Sequence, residues 1–172
     1  MSEKAIIEYE YGRRNKYTFQ CKAIRDWAEY FFEQQEGVWA DPFFGKSPFK
    51  VQFKNDIEET GIDSHDWAKT LKPNSLDGIF FDPPYSMERV KRSYEGRGIE
   101  SWQKQYGNQS GSFPQLKEDL VKALKPGGIV LSFGWNSTGF GSGRGFKKEW
   151  VMLCCHSGAA RDTICTMEKK IK

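Results

Sequence analysis

Near the middle of the chain, Asp82-Pro83-Pro84-Tyr85 follows the apolar run Leu76-Asp77-Gly78-Ile79-Phe80-Phe81. The run reads as a buried strand, so an acid, two prolines and an aromatic stand at the carboxyl edge of a sheet, where α/β folds bind ligands. The prolines fix φ and supply no N–H, so the segment leaves the sheet stiffly and keeps its carbonyls as acceptors. The Asp82 carboxylate and the Pro83 carbonyl can then accept from one exocyclic amino group, while Tyr85 offers a ring for stacking. That set suits an aminopurine or an aminopyrimidine. The bland alternative is a Pro-Pro turn with an acidic cap.

Other stretches carry weaker signals. Asp41-Pro42-Phe43-Phe44-Gly45-Lys46-Ser47 ends like a phosphate-binding G-x-x-x-x-G-K-[ST] loop. Ala40 stands where that loop needs its opening glycine, and PFKVQFKND reads as a strand where a phosphate site needs a helix N-terminus. Residues 86–112 combine Arg89, Lys91, Arg92, Arg97 and Lys104 with Tyr94, Trp102 and Tyr106. Basic side chains neutralise phosphates and aromatics stack on bases, so the stretch is either a nucleic-acid contact or a solvated helix and loop. Trp135 and Asn136 directly follow a strand, where a packed Trp and a turn-forming Asn are favoured over a base pocket. Cys21, Cys154, Cys155 and Cys165 have no C-x-x-C spacing. His65 and His156 have no Cys or Glu in ligand register, and no metal is expected.

The elements that must position these groups alternate. Ala5 to Tyr11 and Lys16 to Cys21 read as extended pieces around a Gly12-Arg13-Arg14-Asn15 turn. A helix is expected from Cys21 to Gln35, with Ala23, Trp27, Tyr30 and Phe31 at helical spacing and Gly37 at its end. Strands are expected at 38–40, 49–53, 77–81 and 128–134, with a helix from Gln115 to Leu124 closed by Lys125-Pro126-Gly127-Gly128. Strands separated by helices point to a parallel α/β sheet. Residues 149–156 and 162–170 are joined by only five residues, a link that permits only an antiparallel hairpin.

The 172 residues suit one domain, read as residues 1–172. Aromatics make up 15 % of the chain, which argues for a packed core despite 28 % charged residues. No apolar run reaches the roughly 18 residues of a membrane span. The net charge of +3 is unevenly spread: residues 86–148 hold 11 basic and 5 acidic side chains.

Asp82-Pro83-Pro84-Tyr85 behind an apolar strand resembles the catalytic motif of the amino-methyltransferases that methylate adenine, less often cytosine, in DNA. Asp41 to Ser47 resembles that family's cofactor loop, D-P-F-x-G-x-[SG]. Asn55-Asp56 ends the next strand, like the acidic residue that grips the ribose of S-adenosylmethionine, and Asp63 resembles the one that meets the cofactor's adenine. Lys16-Tyr17-Thr18-Phe19 is a weaker match to an N-terminal cofactor element. The tail GWNSTGFGSGRGF and its hairpin look like those of small phage and prophage adenine methyltransferases.

The resemblance implies a Rossmann-like class I α/β fold, a mostly parallel sheet ending in an antiparallel hairpin. It implies Asp82, Pro83, Pro84 and Tyr85 as catalytic residues, and Lys16, Tyr17, Asp41, Pro42, Phe43, Gly45, Ser47, Asn55, Asp56 and Asp63 as cofactor-binding residues. The expected activity is methyl transfer from S-adenosylmethionine to N6 of a flipped adenine in double-stranded DNA, in the cytoplasm of a bacterium or phage-infected cell. RNA, cytosine N4 or an inactive cofactor-binding subunit are the alternatives. No separate target-recognition domain is expected, so residues 86–112 and the glycine loop Gly139 to Gly145, or else a second protein, would choose the site.

Two departures from the family stand out. Ser47 replaces the loop's second glycine, and residues 41–49 are too few for a crossover helix of the usual dozen residues or more, so that helix is expected to be missing or reduced to a turn.

Overall fold

The computed structural model describes residues 4–85, 91, 113–158 and 161–172. Seven strands form one sheet in the order β1-β6-β7-β5-β4-β2-β3. They are β1 (Ile6–Tyr11), β2 (Trp39–Asp41), β3 (Phe53–Lys54), β4 (Leu76–Phe81), β5 (Leu124–Gly134), β6 (Phe146–Cys155) and β7 (Thr163–Lys170). All neighbours pair in parallel except β7, which runs against both β5 and β6. The expected parallel sheet closed by an antiparallel hairpin is thus present, with β1 added beyond β6. Among the described residues, no helix is long and apolar enough to cross a membrane.

Alternation along the central strands feeds two cores. On one face lie Trp39, Phe80, Leu131, Met152 and Cys165. Over them packs α1 (Lys22–Gln34), through Ile24, Trp27, Ala28 and Phe31. These four residues follow the i, i+3, i+4, i+7 spacing of a buried helical stripe. Tyr30, expected in that stripe, is half exposed, because the buried face is rotated toward Ile24 and Ala28. On the other face Ala40, Ile79, Phe81 and Val130 meet α4 (Pro114–Ala123), with Leu116, Leu120 and Ala123 turned inward. Pro114 occupies the first turn of α4, where its missing N–H is harmless.

Three local expectations change. Thr18–Gln20 is a 3-10 turn rather than an extended piece, its bonds running from Gln20 N to Tyr17 O and from Cys21 N to Thr18 O. Lys125-Pro126-Gly127-Gly128 lies within β5, where the register against β4 jumps between Leu76 and Gly78 and Gly127 takes φ +82°. Of residues 49–53 only Phe53 is paired as strand, since Phe49 turns its ring into the core. Between β2 and β3 there is no helix, as the short spacing required.

Candidate active site

β2, β3 and β4 end side by side, and β2 sits between β3 and β4. Chain connections therefore diverge at their carboxyl edge, the place where α/β sheets open a crevice. The loops leaving these strands line a cavity of about 350 Å³, in the size range of small-molecule sites, roughly 300–1,000 Å³. Pro42, Phe43, Gly45 and Ser47 come from the loop after β2, and Asn55 and Asp56 from the end of β3. Asp82, Pro83, Pro84 and Tyr85 follow β4, while Lys16 and Tyr17 reach in from the segment before α1.

Each loop is held by its own polar groups. Asp41 is fully buried, and its Oδ1 accepts from the Phe43 N–H at 2.9 Å. Its Oδ2 has no hydrogen-bond partner among the described residues. Burial pushes the Asp41 carboxyl well above the usual carboxylate range; the Phe43 N–H opposes this, and the charges of Asp82 and Asp56 add to it. Gly45 takes φ +46° in the turn, and Ser47 N–H closes it on Phe44 O at 2.8 Å. The missing helix leaves Ser47 without the helix N-terminus that the phosphate-loop reading requires.

Asn55 is buried and spends its side chain on the next turn, donating to Ile62 O and accepting from Thr60 Oγ1. Asp56 caps α2 (Ile57–Thr60) by accepting from Glu58 N–H at 2.8 Å. Two expected cofactor residues, Asp41 and Asp63, are not among those lining the cavity. Asp63 caps α3 (Ser64–Ala68) by accepting from His65 N–H at 2.8 Å. Ile57, Glu58 and Ser64 line the cavity without having been singled out. Their signal was positional: each directly follows a capping acid or its first helical neighbour.

Beyond the proline segment lies a second cavity, of about 240 Å³, to which Pro83 and Tyr85 also contribute. Tyr85 O–H donates to Asp82 Oδ1 at 2.6 Å and lies 2.9 Å from Thr18 Oγ1. Burial raises the Tyr85 phenol well above its ordinary value and the Asp82 charge adds to the effect, so the hydroxyl stays a donor. Trp135 stands edge-on to the Tyr85 ring at 5.9 Å, with the Arg161 guanidinium 4.5 Å over its face. Asn136 accepts from Thr138 N–H, as a turn former does. Lys117, also lining this cavity, donates to Gly139 O at 2.7 Å. Burial and the Arg144 charge bring its ammonium down to about 8.

Of the basic residues expected to contact nucleic acid, Arg89, Arg92, Arg97 and Lys104 lie outside the described residues, and Lys91 is exposed.

No protein-family model matches the chain, and no curated protein matches it. Among solved structures it is similar to TrmN from Thermus thermophilus, with a TM-score of 0.52 and 13 % identity over 88 % of this chain and 49 % of that one. The chain thus spans about half the length of TrmN. A proposed methylase from Haemophilus influenzae has a TM-score of 0.48 and 12 % identity, covering 86 % of this chain and 98 % of its own. The strand order, the reversed β7 and the likeness to TrmN agree: the chain has the Rossmann-like fold of class I methyltransferases, without a helix between β2 and β3.

Proposed function

We propose that the chain methylates the exocyclic N6 of a flipped adenine in DNA, using S-adenosylmethionine. The observation that carries this reading is the wall made by Asp82, Pro83, Pro84 and Tyr85, since Pro83 and Tyr85 border both cavities. A donor and an acceptor bound on either side would meet across it.

The larger cavity has the groups that a cationic nucleoside needs. Phe19, Phe43 and Tyr17 offer apolar walls for a purine, Asp56 and Glu58 offer acceptors for ribose hydroxyls, and Lys16 and Lys46 offer charge for a carboxylate. The carboxyl groups of Asp41, Asp56 and Asp82 are close enough to raise Asp41, which favours a positive ligand nearby. When bound, S-adenosylmethionine supplies a methyl group on a positively charged sulfur.

The rest is work for this chain's own residues. The Asp82 carboxylate and the Pro83 carbonyl accept from the two amino protons and so aim the nitrogen lone pair. As positive charge grows on that nitrogen, Asp82 stabilises it; the amine proton leaves afterwards, and no prior deprotonation is needed. Tyr85 fixes one Asp82 oxygen and offers its ring to the base. Residues 86–112, with Arg89, Lys91, Arg92, Arg97 and Lys104, contact the DNA backbone in this reading.

Tritiated methyl transfer to unmethylated DNA and to RNA, followed by nucleoside mass spectrometry, tests it. Label should appear in DNA as N6-methyladenine and drop by about 10²-fold or more in Asp82→Ala. Equal labelling by both proteins sinks the assignment of Asp82, and label in RNA or as N4-methylcytosine changes the substrate. The absent helix after the cofactor loop favours one second reading, a cofactor-binding subunit without catalysis. Calorimetric binding of S-adenosylhomocysteine with no transfer to any nucleic acid would establish it.

A further inference from the structure

Away from the proline segment, the fold brings together three soft ligands that sequence spacing kept apart. Cys21 is the N-cap of α1. Cys154 lies on β6, 133 residues later, and its sulfur is 3.7 Å from that of Cys21. His156 directly follows β6, two positions after Cys154, so strand alternation returns it to the side of Cys154, while Cys155 takes the other side. One imidazole nitrogen and the two sulfurs all lie within 4.8 Å of one another. Both cysteines are buried and form no disulfide.

We propose that Cys21, Cys154 and His156 bind a single thiophilic d10 cation, for which zinc(II) is the probe. The sulfur spacing supports this directly. Two thiolates about 2.3 Å from a tetrahedral zinc stand about 3.8 Å apart, so the pair needs no rearrangement. The imidazole nitrogen, within 4.8 Å of both sulfurs, needs to approach them to about 3.6 Å, and Nε2 exchanges its contact with Thr163 Oγ1, 3.0 Å away, for the metal.

The surroundings are built for close approach. The Gly12 N–H donates to Cys155 O at 3.1 Å, and Gly12 O accepts from His156 Nδ1 at 2.6 Å, the kind of carbonyl contact that orients a ligating histidine. A Cβ on Gly12 would lie 2.3 Å from the Cys21 sulfur and 3.0 Å from that of Cys154, so only glycine lets the backbone cover the thiols. A cavity of about 40 Å³, lined by Cys21, His156 and Thr163, adjoins the cluster. That is room for one water as a fourth ligand, which takes roughly 10–15 Å³.

Binding exchanges two thiol protons, released to solvent, for two metal–sulfur bonds, with no change of oxidation state. The ion ties the segment from Gly12 to Cys21 to β6. Lys16, Tyr17 and Thr18 in that segment line the large cavity, so metal would stiffen one wall of it. The proposal is independent of which nucleic acid is methylated.

The test uses the tag-free full chain, kept reduced by a phosphine and stripped with a chelator, then titrated with cobalt(II). One equivalent should give intense sulfur-to-cobalt charge-transfer absorption and tetrahedral d–d bands, both abolished by zinc(II). Cys21→Ser and Cys154→Ser should each remove the charge-transfer band, His156→Gln should weaken binding at least tenfold, and Cys155→Ser should leave the spectrum unchanged. No charge-transfer band in the wild-type protein overturns the proposal, as does a band that survives in both Cys21→Ser and Cys154→Ser. Should either serine variant fail to fold, X-ray absorption of the zinc-loaded wild type decides. Two sulfur neighbours support the site, and an all-oxygen-and-nitrogen shell refutes it.

Discussion

Asp41 is the residue at which stability and binding oppose each other most directly. A buried carboxyl with one oxygen unpartnered among the described residues prefers its neutral form, and its pKa in the fold is raised. A group raised in this way favours folding below its unfolded pKa, about 3.9, and that contribution is lost as pH rises through the folded value. Asp41→Asn should therefore raise the thermal midpoint at pH 7, with the gain vanishing toward pH 4, as scans across that range will show. The same substitution removes an ionisable carboxyl next to the larger cavity, one that a cationic ligand would help to charge. Calorimetry should then find S-adenosylmethionine weakened by roughly tenfold or more, and S-adenosylhomocysteine, whose sulfur is neutral, weakened less. A midpoint unchanged at pH 7 would show that Asp41 is relieved by other means. Placement at the cavity was legible in the sequence where it was local. Asp82 to Tyr85 and Pro42 to Ser47 are continuous stretches, and both line the cavity. Asp63, which the resemblance implies as an adenine contact, caps α3 through His65 N–H and is not among the residues lining the larger cavity. Cys21 and Cys154 were illegible as a pair because only the docking of α1 on β6 brings them together.

At the scale of elements, the missing crossover helix leaves the loop between β2 and β3 to do its own packing. Phe49 serves here, with its ring stacked on Phe80 at 4.6 Å, edge-on to Phe19 at 5.1 Å and tilted to Phe32 at 5.5 Å. That inward turn is also why residues 49–52 do not extend β3: a side chain committed to the core pulls its backbone out of the ladder. Hydrophobic alternation in FKVQF suggested a strand, and tertiary packing overrode it. Phe49→Ala should cost about 3–5 kcal/mol in denaturant unfolding. Phe19 directly follows Thr18, and both line the larger cavity, so if that cavity holds the cofactor as proposed, affinity for S-adenosylhomocysteine should fall with stability. A destabilised variant that binds as tightly as wild type would show that the aromatic cluster supports the fold without shaping the cavity. The helices were easier to read, since α1 and α4 each carry a long amphipathic stripe; only the rotation of α1 that exposes Tyr30 had no signature in spacing.

For the molecule as a whole, the basic stretch 86–112 joins two points near the cavities: Tyr85, which lines both, and Phe113, whose ring lies 5.4 Å from that of Phe43. Basic side chains that meet phosphates release counterions, and each contact adds about 0.9 to the slope of log affinity against log salt. Reversing Arg89, Lys91 and Arg92 together to Glu should therefore weaken DNA binding strongly at low salt and lower that slope by about 2–3. Binding of S-adenosylhomocysteine is expected to be unchanged, since in this reading the three side chains meet DNA phosphates and not the cofactor. Fluorescence anisotropy over a salt series measures the first effect and calorimetry the second. Contacts of this kind position a duplex without reading bases. Modification-sensitive sequencing of a methylated genome should accordingly return a short or relaxed site, and the triple variant should lower methylation at all sites in proportion. A long, strictly read site, or a variant that loses some sites and keeps others, would place base recognition elsewhere, in the loop around Gly139 to Gly145 or in a second protein.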